Sequence, residues 1–296
     1  MNDPLLTIIT PTYNRAKLLP NLYKSLLQQE KNFFIWMIVD DGSTDNTKEV
    51  VKTFQEENKF PIKYIHKENG GKHTALNVGI RQIDTELTMI VDSDDTLLPN
   101  AVFEIDKYYR KYKDIKRIAT WAFLRCYSDG KPIIELDQEE FVENYIKYRI
   151  RENRPGDMAE VFRTNVLKDF PFPVFPDEKF ISEDVVWIEI GKHYDSVFIN
   201  KAIYQCEYLE GGLTANDKPM KFASPRGSML RGKQLMSKEC GLKANIRGAI
   251  IYDCYKPRDS QIIPNSLYLS GREQVLAFLF VGMGKLFRYK WRGHIS

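Results

Sequence analysis

Short apolar runs and amphipathic stretches alternate through the first hundred residues of this chain. Leu5–Thr10 reads as a buried strand that ends at Pro11. Leu18, Leu19, Leu22, Tyr23, Leu26 and Leu27 then recur at helical spacing. Phe33–Val39 is a second strand, stopped by Asp40-Asp41-Gly42-Ser43. A helix follows through Val50, Val51 and Phe54, with Ser43 or Thr44 as its expected N-cap. Ile62–His66 is a third strand, and Ala75, Leu76, Gly79, Ile80 and Ile83 form the next helical stripe. Leu87–Val91 is a fourth strand that runs into Asp92-Ser93-Asp94-Asp95. Pro99 opens a helix through Val102, Phe103 and Tyr109. Strands and helices alternating at this pace predict βαβ units around a mostly parallel central sheet flanked by helices. The polar clusters fall just after the strands. Ligands of open α/β sheets bind at the carboxyl ends of strands, so the turns at 10–15, 40–44 and 92–96 are expected to share one site.

Beyond residue 115 the rhythm loosens. Ile118–Tyr127 and Val197–Tyr208 read as strands, Phe170–Pro176 as a Pro/Phe-rich loop, and Ser182 as the N-cap of a helix through Trp187. Past about 216 helical pieces remain without further βα rhythm. The boundary expected from this change divides the chain into a catalytic domain, 1–215, and a basic helical region, 216–296. Residues 217–296 hold 15 Lys+Arg against 5 Asp+Glu, whereas 1–216 hold 28 against 35. A basic end on an acidic body suits an anionic membrane surface or nucleic acid. With no nucleic-acid motif in the chain, the membrane is favoured and nucleic acid is not expected as a partner. Four cysteines without a C-x-x-C pair, and an N-terminus without a positively charged leader, suggest reduced thiols in a cytoplasmic protein.

Four clusters carry candidate chemistry. Asp92-Ser93-Asp94-Asp95 packs carboxylates at a strand end, where they repel one another unless a cation neutralises them. A hard divalent ion, Mn²⁺ or Mg²⁺, bridging carboxylates to a diphosphate meets that need. A solvated acidic turn capping the next helix is the plainer reading. In Asp40-Asp41-Gly42-Ser43-Thr44-Asp45, Gly42 allows a tight turn and one Asp can accept a hydrogen bond from a base or ribose. The same residues also suit an ordinary helix N-terminus. In Asn69-Gly70-Gly71-Lys72-His73, paired glycines admit a ligand to the backbone, and Lys72 adds a positive charge at a helix start. His73 is expected to be a surface or hydrogen-bonding histidine rather than a metal ligand. Glu183-Asp184 offers a carboxylate base for a sugar hydroxyl, or simply helix capping.

Thr10-Pro11-Thr12-Tyr13-Asn14-Arg15, Val39–Asp45, Asn69–Asn77, Val91–Asp95 and Glu183-Asp184 occur in that order. Together they resemble the family-two inverting glycosyltransferases of bacterial surface-polysaccharide assembly. The likeness covers roughly 1–215 and is dense in 5–100. It implies the GT-A fold, Rossmann-like and nucleotide-binding, here with a basic C-terminal helical extension. It also implies transfer of a sugar from a nucleoside diphosphate, UDP by family habit, to a glycan or lipid-linked acceptor. By the same resemblance Pro11, Tyr13 and Arg15 line the nucleotide pocket, and Asp40 or Asp41 binds the base. Lys72 sits near the nucleotide or diphosphate, and Asp92, with Ser93 beside it, reaches the ribose or donor sugar. Asp94, with Asp92, holds Mn²⁺ or Mg²⁺. Asp184 is the general base, with Glu183 supporting it or the acceptor. Many relatives carry a histidine after the last sheet strand. The corresponding stretch here, Tyr208–Thr214, has none, so diphosphate and water are left to complete the metal shell.

Val275–Met283 is apolar, and Lys285, Arg288 and Arg292 follow with Trp291. From Val275 to Phe287 a helix is about 20 Å long, short of the ~30 Å hydrocarbon core. The segment 272–296 is therefore expected to lie peripherally on the inner face of the membrane or to pack on the body of the protein. Two rival functions remain. Val91–Thr96 also fits the D-x-D-x-T loop of haloacid-dehalogenase-type phosphatases, with Asp92 as nucleophile and Asp94 as acid/base. A non-catalytic glycan- or nucleotide-binding protein is the other. A nucleotidyltransferase is disfavoured because Pro11–Arg15 lacks the Gly-rich loop such enzymes use.

Overall fold

The computed structural model describes residues 3–31, 33–206, 217–257 and 263–292. They fall into two compact units. The first comprises 1–144, 155–171 and 193–208, and the second 145–154, 172–192 and 209–296.

The first unit is built on one nine-stranded sheet. Its first half alternates as the periodicity predicts: β1 (Leu6–Thr12), α1 (Leu19–Leu27), β2 (Phe34–Asp40), α2 (Thr47–Glu57), β3 (Ile62–His66), α3 (Lys72–Arg81) and β4 (Leu87–Ile90). The order β3-β2-β1-β4 is parallel throughout, with Ile9 opposite Met37 on one side and Ile90 on the other. β1 and β4 are buried along their whole length, which is why they read as largely apolar runs, broken by Thr and Pro11, rather than as strands with one polar face. Pro11 is tolerated within β1 because the β4 pairing stops at Ile9, so no ladder bond is lost there.

The second half of the sheet is mixed. After β5 (Thr96–Leu97) and α4 (Ala101–Tyr112) come β6 (Ile118–Cys126), β7 (Glu140–Glu143), β8 (Met158–Arg163), α5 (Thr164–Asp169) and β9 (Asp195–Gln205). β8 lies antiparallel between β4 and β6, β9 runs parallel to β6, and β5 and β7 pair antiparallel with β9. The core of this unit is aromatic. Tyr23 stacks on Phe54 at 4.2 Å, and buried Trp36 donates through Nε1 to Thr10 Oγ1 at 2.9 Å, so its polar edge is satisfied.

The second unit is helical. It contains a π-helical turn at Ile146–Arg151, α6 (Asp184–Gly191), α7 (Asp217–Ala223), α8 (Pro225–Leu235), α9 (Gly241–Tyr255) and α10 (Gly271–Arg292). α8 and α9 cross in backbone contact. A Cβ on Gly248 would lie 2.5 Å from the Gly232 carbonyl oxygen, and one on Gly232 would lie 2.7 Å from the Tyr252 nitrogen. Buried Asn245 donates to the carbonyls of Leu235 and Ser237, closing the end of α8 against α9. Among the described residues no helix is long and apolar enough to cross a membrane.

Two expectations are corrected in detail. Ser43 and Thr44 do not cap α2, whose first turn is anchored instead by Asp45, accepting from Thr47 N at 3.1 Å and Thr47 Oγ1 at 2.5 Å. Ser182 does not cap α6: its hydroxyl donates to the Asp184 carboxylate. The expected boundary at 215/216 lies outside the described residues. The second unit also takes in 172–192, where α6 packs with α8: Gln234 Nε2 donates to the Val185 carbonyl at 3.0 Å. Glu183 and Asp184 therefore belong to the helical unit.

Candidate active site

The turns that follow β1, β2, β3 and β4 are tied together at the carboxyl edge of the parallel strands. Asn14, in the left-handed region at φ 53, is the first knot. Its Oδ1 accepts from Thr44 N at 2.8 Å, its own N–H donates to Ser43 Oγ at 2.8 Å, and the Arg15 N–H donates to Thr47 Oγ1. The 10–15 turn is thereby fastened to the 40–47 turn. Tyr13 stands outward from this junction, 47% exposed, while Pro11 is buried beneath it.

Asp40 and Asp41 are both buried, and the protein itself uses both. Asp40 Oδ1 accepts from Ser43 N at 2.8 Å, and its Oδ2 accepts from Tyr64 Oη at 2.5 Å. Asp41 Oδ1 accepts from Lys67 Nζ at 2.6 Å and Gly70 N at 3.0 Å, and its Oδ2 accepts from Gly71 N at 2.7 Å. Gly42 takes φ +83, and a Cβ there would sit 2.8 Å from the Asn69 nitrogen, so the two turns approach as closely as backbone allows. Asp41 thus fixes the 69–71 turn from which α3 and Lys72 begin.

Lys72 reaches across to β4: its Nζ lies 2.5 Å from Asp92 Oδ1. Burial opposes ionisation of Asp92, but Lys72 first, then Arg125 and Arg15, outweigh it and hold this carboxyl below its ordinary value. Asp94 responds in the opposite way. Burial, and then the Asp92 charge, push it up, and Arg15 and Lys72 offset this only in part. Ser93 is buried between the two. Asp95 is buried and engaged, its Oδ2 accepting from Tyr204 Oη at 2.7 Å, while the same Tyr204 oxygen accepts from Asp92 N at 3.0 Å.

This asymmetry bears on the divalent ion that the motif implies. Asp92 already has a cationic partner. Asp94 is the carboxylate left short of positive charge, which is the condition a hard cation relieves. Among the described residues no group of three His, Cys, Asp or Glu converges to form a metal cage. Carboxylate oxygens at 92–95 are the donor type that a hard divalent ion takes. The stretch Tyr208–Thr214, where relatives place a histidine, lies outside the described residues.

In the helical unit Asp184 opens α6. Its Oδ1 accepts from Ser182 Oγ at 2.6 Å and its Oδ2 from Arg231 Nε at 2.7 Å. With each oxygen held once, the carboxylate is fixed in orientation and retains lone pairs for a further proton. Glu183 occupies the N-cap position beside it. The expected site residues therefore fall into two groups. Pro11, Tyr13, Arg15, Asp40, Asp41, Lys72, Asp92, Ser93 and Asp94 lie at the edge of the sheet, and Glu183 and Asp184 lie in the helical unit.

Sequence reasoning missed Arg125, Tyr204, Lys67 and Arg231. Arg125 donates through Nε to the Met158 carbonyl at 2.7 Å, and its guanidinium lies 4.3 Å from the Tyr204 ring centroid. Neither sits in a motif. Their only sequence signal is a polar group inside an otherwise apolar strand, Arg125 in WAFLRC and Tyr204 in the second half of β9. His73 is also corrected. It is 2% exposed, and neither ring nitrogen has a hydrogen-bond partner among the described residues, so it is neither a surface nor a hydrogen-bonding histidine.

Comparison with known proteins agrees with this geometry. The profile of the family described as glycosyl transferase family 2 matches residues 7–167, which include the turns after β1 to β4. The span also places 92–96 inside a transferase domain rather than a phosphatase loop. The poly(ribitol-phosphate) β-N-acetylglucosaminyltransferase TarS of Staphylococcus aureus is 27% identical over 214 residues, covering 69% of this chain and 36% of that protein. The GalNAc(5)-diNAcBac-PP-undecaprenol β-1,3-glucosyltransferase of Campylobacter jejuni is 28% identical over 205 residues, covering 67% and 63%. Among solved structures, S. aureus TarS 1–349 in complex with UDP-GlcNAc superposes with a TM-score of 0.65 at 20% identity, covering 94% of this chain and 80% of that one. The mannosyltransferase PcManGT from Pyrobaculum calidifontis, in complex with GDP-Man and Mn²⁺, superposes at 0.61 with 15% identity, covering 97% and 88%. These likenesses show the GT-A fold. The chain spans about a third of the length of the first curated relatives it matches.

Proposed function

The chain belongs to glycosyltransferase family 2, and from that premise we propose that it is an inverting, metal-dependent transferase. It moves one sugar from a nucleoside-diphosphate sugar, a UDP-sugar first, to a glycan or lipid-linked acceptor in surface-polysaccharide synthesis. The observation that carries this reading is the Lys72–Asp92 pair at 2.5 Å. It joins the third turn to the fourth at the sheet edge and leaves Asp94 as the carboxylate short of positive charge.

Tyr13, above buried Pro11, offers a ring to the base, and Asp40 or Asp41 binds the base edge. Arg15 and Lys72 neutralise the diphosphate, and Asp92 with Ser93 orients the ribose or donor sugar. Asp94 holds Mn²⁺ or Mg²⁺, which when bound supplies positive charge for the leaving diphosphate. In the helical unit Asp184 takes the proton of the acceptor hydroxyl. That oxygen attacks the anomeric carbon as the bond to the diphosphate breaks, and one displacement inverts the centre. Glu183 supports Asp184 or the acceptor. The Campylobacter relative is named for an undecaprenol-linked acceptor, and a membrane-borne acceptor suits α10. Val275, Phe278, Leu279, Met283 and Leu286 lie 45–79% exposed at helical spacing along it, and Lys285 and Lys290 are exposed beside them. We place this face on an anionic inner membrane surface, with the catalytic parts in the cytoplasm.

The test is a thermal-shift panel of UDP, GDP, dTDP and CMP, each with and without Mn²⁺. One nucleoside diphosphate is expected to raise Tm, and more so with Mn²⁺, because only the native state binds it. The metal-dependent part should vanish in Asp94→Ala. No shift with any nucleotide in folded protein, with hydrolysis of a simple phosphomonoester, would overturn the proposal in favour of a phosphatase.

A further inference from the structure

The acidic cluster after β4 contains a carboxylate that the transfer does not use. Exposure alternates along the cluster: Asp92 and Asp94 are part-exposed, whereas Ser93 and Asp95 are buried. Asp95 turns into the protein and meets Tyr204 of β9, which is itself fully buried. The Tyr204 hydroxyl makes two hydrogen bonds to this one turn. It accepts from Asp92 N at 3.0 Å and donates to Asp95 Oδ2 at 2.7 Å. The backbone's own closure of the turn, from Asp95 N to the Asp92 carbonyl, is longer at 3.2 Å. Just beyond it β5 pairs with β9, which sets Leu97 opposite Tyr204, and Leu98 N donates to the Ile203 carbonyl at 2.9 Å. The strand that carries Tyr204 is thus fixed to the segment whose turn the hydroxyl holds.

We propose that Tyr204 is a positioning residue for the divalent ion: its hydroxyl ties residue 92 to residue 95 and so fixes the backbone from which Asp94 extends. The inference rests on the transferase reading, with the ion at Asp94, and adds the residue that keeps this ligand in place. The need for such a tie follows from where the strand stops. β4 ends at Ile90, and Val91 N still reaches the Ile9 carbonyl. Asp92 is the first residue past that ladder whose amide finds its acceptor on a side chain, and the acceptor is Tyr204.

Electrostatics adds to the need. Three carboxylates in four residues repel one another, and a turn that bears them spreads unless its ends are held. Lys72 holds the Asp92 side chain at 2.5 Å, while Tyr204 holds the Asp92 backbone and the Asp95 side chain. The tyrosine is anchored in turn. The Arg125 guanidinium lies 4.3 Å from its ring centroid, and Arg125 Nε donates to the Met158 carbonyl at 2.7 Å. Groups that orient a metal's ligands change its affinity about 10–100-fold when removed, although they never touch the ion.

The experiment measures UDP affinity of the full chain by calorimetry, in Mn²⁺ and in EDTA, and the ratio of the two is the gain from the metal. It compares wild type with Tyr204→Phe, Tyr23→Phe and Asp95→Asn. Phenylalanine at 204 keeps the ring and removes the hydroxyl. Tyr23→Phe makes the same change at another buried tyrosine of this unit, whose Oη donates to Glu57 Oε2 at 2.9 Å. Tyr204→Phe should cut the gain about tenfold, the lower end for a group that orients a metal's ligand, with affinity in EDTA unchanged. Tyr23→Phe should keep both values. A hydroxyl that only stabilised the fold would lower Tm in both tyrosine variants and leave the gain alone. Asp95→Asn keeps an acceptor for Tyr204 and should keep most of the gain, and it decides the matter if Tyr204→Phe does not fold. Loss of the gain in Asp95→Asn would make Asp95 an ion ligand and overturn the positioning role. An unchanged gain in Tyr204→Phe, or a fall of the same size in EDTA, also overturns it. The transferase reading is tested by wild type alone. Equal UDP affinity with and without Mn²⁺ removes the ion from that reading and the role of Tyr204 with it, and no UDP binding removes the reading itself.

Discussion

Asp41→Asn tests how the fold positions the donor site. The wild-type carboxylate is 5% exposed and accepts three donors: the Lys67 ammonium, whose side chain is 18% exposed, and the Gly70 and Gly71 amides. Asparagine keeps one acceptor oxygen, so one backbone amide stays bonded and the other faces an NH₂ group. That loss costs roughly 1–1.5 kcal/mol. The larger part is the Lys67 charge, left with its Thr74 and Glu68 contacts but without a counterion. Removing one partner of a buried pair costs about 3–5 kcal/mol, and the residual exposure of Lys67 puts this case at the low end. A total near 4 kcal/mol is expected in urea titrations followed by tryptophan fluorescence. With the 69–71 turn released, Lys72 no longer starts from a fixed position, so nucleotide affinity should fall with stability. The double variant Asp41→Asn/Lys67→Met should recover part of the stability, because the unpaired charge is gone. A loss below about 1 kcal/mol, or no recovery in the double variant, would show that the ion pair does not hold this turn.

Burial, countered in part by Asp41 and reinforced by Lys67, lowers His73 from its ordinary 6.5. Below that pH the unfolded chain takes up a proton that the native ring refuses. Stability is therefore full above about pH 6.5 and should fall as pH drops, by up to ~1.4 kcal/mol per pH unit. In His73→Leu, urea titrations at pH 7.0 and 5.5 should show a smaller difference than wild type, and an equal difference would mean the native ring is charged. Gly248→Ala drives a methyl into the Gly232 carbonyl at 2.5 Å, and neither backbone can step aside. A loss of about 2 kcal/mol is expected in thermal unfolding, and a neutral result would show that α8 and α9 do not touch. Phe278→Glu/Leu286→Glu places two charges on the exposed face of α10. Sedimentation with anionic vesicles should drop sharply while UDP binding stays, and undiminished pelleting would remove this face from the membrane.

The parallel half of the first unit was legible because each element obeys a single period. β1, β2 and β4 together are dominated by Leu, Ile, Met, Val, Phe and Trp, and α1 buries Leu19, Leu22, Tyr23 and Leu26 on one face. Polar residues at their carboxyl ends then pointed to one edge. In the other half β6 and β9 were legible as strands, but the short strands between and beside them were not. β5 has only two residues, too short for any period, and β8 reads MAEVFR, with Glu160 and Arg163 part-exposed among buried neighbours. The helical unit shows why spacing misleads. Ser182 stands where a cap is expected, yet its hydroxyl turns to Asp184, and the second partner of that carboxylate, Arg231, is 47 residues away. No local pattern encodes such a pairing. The same holds for Tyr204, which meets Asp95 across 109 residues.

The most direct test of the account is release of UDP from UDP-sugars, compared between wild type and Asp184→Asn with UDP affinity measured alongside. Asparagine preserves the shape that Ser182 and Arg231 hold and removes the base. The account predicts turnover of at least one UDP-sugar by wild type in the presence of Mn²⁺ and acceptor. In the variant it predicts a fall of about a hundredfold or more, within the range for general-base loss, with UDP affinity unchanged. Equal turnover by Asp184→Asn would contradict the assignment of the base, and UDP binding without turnover of any UDP-sugar by wild type would reduce the protein to a nucleotide-binding relative of the transferases.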